Sequence, residues 1–170
     1  MSHDALVLLK RDHQEIRRLF RDYGRATGEE ERREVVQRIA RVLLVHSFVE
    51  EELIYPGIRA SVPSLAPELL LASEQHRLAA VLVEQLTSSA ATDERFDPKA
   101  RLLIDLVGRQ IEREEEGWMP AARQALGRKA LQDLGADIAT ARDQAPQPGP
   151  GSRIEQVTSE LLGHLPGVPG

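Results

Sequence analysis

The chain has no cysteine in its 170 residues, which excludes disulfides, thiolate metal sites and cysteine nucleophiles. Aromatic residues are only 4% of it, too few for a β-rich core, whereas Leu, Ala, Glu and Arg abound and favour helix. No surplus of positive charge exists either. The 27 acidic residues outnumber the 22 basic ones, and the net charge of −5 argues against nucleic acid as a main partner. No apolar run approaches membrane-spanning length and Met1-Ser2-His3-Asp4 opens no signal peptide, so the expectation is a soluble, cytoplasmic protein with no membrane partner. No Gly-rich nucleotide-binding motif is present. What the chain does have is 41% hydrophobic residues, enough to bury a sizeable core.

Those apolar residues recur at helical spacing through four long segments. Leu6, Leu9, Ile16, Phe20 and Tyr23 share the first face. Thr27-Gly28-Glu29-Glu30 reads as a capping box opening a second helix, whose stripe runs Val35, Ile39, Val42, Val49 and Leu53. Pro56-Gly57 is expected to end it. After the loop Ser61-Val62-Pro63-Ser64, a third helix turns Leu69, Ala72, Ala79, Val83 and Leu86 inward. Asp97-Pro98 reads as N-cap and N1 of a fourth, with Ala100, Leu103, Val107 and Trp118 on its core face. Pro120 should kink or stop that helix, because its ring blocks the bond to the carbonyl of Glu116.

The fold expected is all-α: an antiparallel up-down four-helix bundle over residues 1–126, with a C-terminal extension. Residues 127–144 read as a helical continuation. Five of the 10 prolines fall after residue 145, so 145–170 reads as a Pro/Gly linker plus a short amphipathic helix. Ser152-Arg153-Ile154-Glu155 would cap that helix, and Ile154, Val157, Leu161 and Leu165 form its apolar side, a possible contact for a protein partner.

An internal repeat underlies the pattern. The run from His46 to Pro56 matches the run from Gln110 to Pro120 at an offset of 64 residues, and Asp12-His13 matches Gln75-His76 at 63. The informative residues are those that interrupt the apolar stripes. His13 lies between Leu9 and Ile16, His46 between Val42 and Val49, and His76 between Ala72 and Ala79. Glu50 follows His46 by four residues and Glu114 follows Gln110 by four, so each pair projects from one helix face. A buried carboxylate costs several kcal/mol unless paired, and no Lys or Arg occupies these inner positions. A metal cation answers all of these groups at once, since imidazole and carboxylate suit iron, manganese or zinc. Glu112 and Glu115 should point away from that face. Tyr55 and Trp118 read as packing or gating residues, and His3 and His164, near the termini, as surface residues.

With these residues the chain resembles the hemerythrin-like HHE cation-binding family. The pattern is a His in helix 1, His-x-x-x-Glu before a Pro in helix 2, a His in helix 3 and His-x-x-x-Glu before a Pro in helix 4. The resemblance implies a non-haem di-iron centre between four helices. His13 and His46 would then be terminal ligands of one iron, His76 would serve the other, and Glu50 and Glu114 would bridge them. Gln110 departs from the pattern, standing where the family has His. The second iron would keep His76, the two carboxylates and the Gln110 amide oxygen as a candidate donor. That oxygen is a poor substitute for imidazole on iron, so the second site is expected to be weak, solvent-filled or rescued by another group.

The function this implies is a non-haem iron protein binding or processing O2, peroxide or nitric oxide. Many oxygen donors and few nitrogens make reversible O2 carriage the less favoured form of it. Two rival readings are a passive iron- or zinc-binding or sensing module without turnover, and a degenerate bundle serving as an interaction scaffold.

Overall fold

A computed structural model describes residues 4–144, which contain helices and turns and no strand. Helix α1 covers Ala5–Arg25 and α2 Glu29–Val49; a π-helical turn, Glu50–Ile54, runs straight on into α3, Tyr55–Ser61. A 3-10 turn, Pro63–Leu65, leads to α4, Ala66–Ser88, then α5, Phe96–Glu116, and α6, Trp118–Gln144. α1 packs on α2, α2 on α4, α4 on α5 and α5 on α1, which closes the expected four-helix ring. α6 lies along α1 and α5. The proline-rich segment, the proposed cap at Ser152, the Ile154–Leu165 stripe, His3 and His164 all lie outside the described residues.

Most of the apolar stripe residues bury as their spacing predicts, in two clusters instead of one, with Phe20, Val42, Leu53 and Val83 only partly buried against them. The first gathers Leu6, Leu9, Val49, Ile54, Tyr55, Ile58, Leu69, Trp118, Met119, Leu131 and Ile138. The second gathers Ile16, Leu19, Tyr23, Val35, Ile39, Leu43, Leu86, Phe96, Leu103, Val107 and Ile111. Between them, at one height of the bundle, lie the buried polar residues His13, His46, Glu50, His76, Gln110 and Glu114. Each cluster seals one side of that polar layer from water.

Helix boundaries depart from the expected ones in four places. Gly28, not Thr27, is the N-cap of α2, and its first turn is closed from outside: the Thr27 N–H donates to Glu31 Oε2 at 3.0 Å. Pro56-Gly57 does not end the helix. Pro56 lacks the N–H an α-helical bond would need, and the chain accommodates it just after the wider π turn, where the Tyr55 N–H bonds back to the Glu50 carbonyl. α5 begins one residue before Asp97, with Arg95 at its N-cap, because Asp97 is engaged by the Tyr23 hydroxyl at 3.1 Å and by Arg101. The break expected at Pro120 falls at Gly117, leaving Pro120 in the first turn of α6, where a missing N–H costs little. Gly117 must be glycine: a Cβ there would lie 2.7 Å from the Arg113 carbonyl oxygen and against the Glu68 carboxylate that accepts the Trp118 N–H. α6 is itself interrupted at Gly127, whose φ of 72° is open to glycine at no steric cost.

Candidate metal centre

Four helices deliver the polar layer, each by the same local logic. A polar residue replaces an apolar one on the buried stripe, so the helix that buries its neighbours buries it too. His13 comes from α1, His46 from α2, His76 from α4, and Gln110 and Glu114 from α5. Glu50 opens the π turn and is fully buried. The π turn also explains Tyr55. Five residues along an α-helix would place it about 140° round from Glu50, whereas the wider turn brings its hydroxyl back to donate to Glu50 Oε2 at 3.0 Å. The Tyr55 hydroxyl oxygen also lies 3.4 Å from Glu114 Oε1. Tyr55 is therefore more than packing, since its hydroxyl bridges the two carboxylates from helices on opposite sides of the layer.

Ligand-type atoms of His13, His46, Glu50 and Glu114 lie within 4.8 Å of one another, all four residues buried. His13 Nε2 sits 3.3 Å from Glu114 Oε2, His46 Nε2 3.5 Å from Glu50 Oε2, and His76 Nε2 3.2 Å from the same Glu50 oxygen. These are close approaches without good hydrogen bonds. His13 Nε2, His76 Nε2, Glu50 Oε1, Glu114 Oε2 and, on the outer side of its ring, His46 Nδ1 remain buried without a hydrogen-bond partner. Several orphaned polar atoms in one buried layer are costly, and a shared cation would satisfy the inward-facing ones together. Imidazole nitrogen and carboxylate oxygen without thiolate fit iron, manganese or zinc. Gln110 is buried beside this group, and its amide N–H donates to Glu114 Oε1 at 2.9 Å.

The outward side of each imidazole carries a feature that sequence reasoning missed. His13 Nδ1 meets Glu115 Oε1 at 2.8 Å, His76 Nδ1 meets Glu51 Oε1 at 2.9 Å, and His46 Nδ1 lies 3.5 Å from Asp12 Oδ2. Glu115 thus does face away from the carboxylate pair, but onto the back of an imidazole and not into solvent. A carboxylate bonded to the outer nitrogen fixes the ring and its tautomer at His13 and His76, leaving Nε2 free to coordinate, while Asp12 faces His46 without a hydrogen bond. Each of these three acids is adjacent in sequence to an inward residue (Asp12-His13, Glu50-Glu51, Glu114-Glu115), which is the one signal that could have found them.

The charges inside the layer hold one another in place. Burial works against protonating His76, yet Glu50 and Glu51 outweigh it and raise its pKa to about 10. His46 likewise rises, against the effect of burial, through Glu50 and Asp12. Glu50, which burial alone would push up, is held down to about 2 by His46 and His76. Burial, with Glu50 and Glu114 nearby, keeps the Tyr55 phenol protonated well above the ordinary range. For the metal-free protein these shifts set a pH window. His76 stabilises the fold fully below the ordinary histidine value of 6.5 and loses that contribution as the pH rises toward 10, and His46 acts in the same direction. Glu50 contributes fully above 4.5 and loses its contribution as the pH falls toward 2. The metal-free protein should melt highest between about pH 4.5 and 6.5. A melting temperature that climbs steadily from pH 6 to pH 9 without metal would contradict these charge states.

The hemerythrin HHE cation binding domain model matches residues 4–122, which include all six residues of the layer. The chain belongs to the hemerythrin HHE cation-binding domain family. A crystal structure of another HHE cation binding domain-containing protein, an Rv2633c homologue from Mycobacterium kansasii, has the same fold. It is 22% identical with a TM-score of 0.69, and the match covers 83% of this chain and 86% of that one. A protein of Nostoc sp. (strain PCC 7120), described as a DNA nickase, is 24% identical over 140 residues, 82% of this chain; the chain spans only 39% of that protein's length. The family is a cation-binding one, the His13, His46, Glu50 and Glu114 cluster is a group that could hold a cation, and most of α6 lies past the matched region. No helix among the described residues is long and apolar enough to cross a membrane.

Proposed function

We propose that this HHE domain is a non-haem iron protein that binds or processes a small oxidant: O2, peroxide or nitric oxide. The observation that carries the reading is the cluster of four buried donors from α1, α2, the π turn and α5, within 4.8 Å of one another. His13, His46, Glu50 and Glu114 would hold one ion, and His76, with Glu50 and Glu114 shared, would hold the second. Iron bound there supplies a change of oxidation state and a coordination position open to a small ligand. The protein's own residues orient and enclose. Asp12, Glu51 and Glu115 aim the imidazoles, the Tyr55 hydroxyl holds a proton between the two carboxylates, and the two apolar clusters exclude bulk water. The two carboxylates offer four oxygens to the three imidazole nitrogens, and this donor set suits oxidant consumption or sensing better than reversible carriage.

Protein purified from iron-supplemented cells should carry iron and show a near-ultraviolet charge-transfer band that changes with peroxide or nitric oxide. One colourless zinc per chain, indifferent to both, would instead support a passive metal-binding module. The nickase relative extends far beyond the aligned region, and this chain's acidic surplus does not suit a phosphate backbone, so we propose no action on DNA.

Gln110 is the weak point of the second ion's surroundings. Its amide N–H is engaged by Glu114, and it stands where the first half of the repeat has His46. Gln110→His should raise affinity for the second ion by at least about tenfold, since imidazole is the better donor. Anaerobic Fe(II) titration with metal counted per chain decides it. Two tightly held ions in the unmodified protein, unchanged by the substitution, would show that position 110 is not a ligand.

A further inference from the structure

Each of the three imidazoles has a carboxylate behind it, hydrogen-bonded at His13 and His76 and a looser ion-pair contact of 3.5 Å at His46. The groups that hold those carboxylates come from different parts of the chain. Glu115, behind His13, is gripped by Arg17 through two bonds of 3.0 and 3.1 Å. Glu51, behind His76, receives the Ser73 hydroxyl at 2.9 Å. Both donors lie within residues 4–122, the span of the family match. Asp12, behind His46, is held by Arg142, from the last turns of α6 and well outside that span.

We propose that Arg142 is a positioning residue for the metal centre: through Asp12 it sets the orientation of His46, so that the helix beyond the HHE region is a working part of the site. This rests on the metal-binding reading above. Asp12 is 19% exposed at its side chain, so without a partner its carboxylate is free to turn to water. Arg142 fixes it, and is itself delivered to a definite place: Ile138, four residues earlier on the same helix face, is fully buried. Leu131 anchors the helix two turns further back.

One oxygen, Asp12 Oδ2, takes the Arg142 Nη2 and faces His46 Nδ1. The Arg17 trio is the tighter form of the same arrangement. There, Glu115 Oε1 accepts from Arg17 Nη1 at 3.0 Å and still approaches His13 Nδ1 to 2.8 Å. His46 and His13 lie side by side, ring centroids 5.0 Å apart, so two arginine–carboxylate–imidazole series converge on the same ion position. One is internal to the bundle and one is supplied by α6. Detachment of the end of α6 from α1 is therefore expected to loosen His46 and release metal.

The test uses the full chain and Co(II) as probe, with affinity measured by chelator competition and the ligand-field spectrum recorded. Arg142→Ala should lower affinity about 10- to 100-fold, the usual effect of losing an outer partner of a metal ligand. Arg142→Lys should recover most of it, because the contact to Asp12 is a single one that an ammonium can make. Asp12→Asn should cost as much as Arg142→Ala, and the double variant no more than the worse single one. Arg123→Ala is the control. Arg123 also ties α6 to α1, through Asp4 at 3.0 Å, but no imidazole stands behind that pair, and affinity should stay within about threefold. Equal losses in Arg123→Ala and Arg142→Ala would reduce the effect to helix docking and overturn the inference. So would Co(II) binding and a spectrum unchanged in Arg142→Ala and in Asp12→Asn. An unmodified chain that binds no metal would overturn the underlying reading as well, which separates the two failures.

Discussion

Glu50→Ala is expected to abolish most metal binding while leaving a helical protein, and it is the substitution with the largest expected effect on the site. Glu50 is the hub of the layer. Its Oε2 lies 3.2 Å from His76 Nε2 and 3.5 Å from His46 Nε2 and accepts the Tyr55 hydroxyl, while Oε1 is buried without a partner. Losing an outer partner of a ligand costs 10- to 100-fold in affinity, so losing Glu50, itself a proposed ligand, should cost more than about 100-fold. Stability should move too, and in a way that depends on pH. Without metal, Glu50 is what most offsets the burial of His46 and His76, so its removal leaves two imidazoles whose charge has lost its main partner. At pH 6 the loss should be roughly 3 kcal/mol, as for a broken buried ion pair. At pH 9 it should shrink, because His46 can stay neutral at lower cost. His46→Ala should weaken metal binding comparably. Bound metal per chain after dialysis, with helicity from circular dichroism, decides the matter. Either variant keeping full metal content would remove Glu50 or His46 from the centre.

The inward half of this site was legible in the sequence because helical burial has a strict period. A His three or four residues from Leu9 and Ile16, or from Val42 and Val49, shares their face and therefore their burial, and the structure buries all six inward residues together. The outward half was not legible by the same rule. Glu51 and Glu115 follow an inward residue by one position, a rotation of about 100° that reads as the edge of a solvated face. Only the approach of a neighbouring helix turns that edge into a partner for an imidazole nitrogen, and the sequence of one helix does not contain that distance. Arg142 is the extreme case, since its partner is 130 residues away. The proline at 56 misled for a different reason. Proline forbids one α-helical bond, but a π turn just before it absorbs the missing donor without ending the rod, and it is this same turn that places Tyr55 over Glu50.

Trp118→Ala should be among the most destabilising single substitutions in the fold, by about 3–5 kcal/mol. The indole is fully buried, the largest such side chain in the protein, and sits in the cluster that seals one side of the polar layer. It meets the Tyr55 ring edge-on with centroids 5.8 Å apart, and Tyr55 in turn lies parallel to His76 at 6.0 Å. A cavity at position 118 therefore loosens the side chain that bridges Glu50 and Glu114, so metal affinity should fall along with stability. Trp118→Phe separates shape from polarity. The indole Nε1–H is buried without a hydrogen-bond partner, and such a group costs about 1–3 kcal/mol. Phenylalanine gives up some packing volume but also removes that unpaired donor, so the net loss should stay below about 1.5 kcal/mol. Urea denaturation of the two variants, followed by circular dichroism because the protein has no other tryptophan to report, measures both values. If Trp118→Phe proves as costly as Trp118→Ala, the indole N–H is making a bond that matters, and the ring is held by its polar edge as well as by its packing.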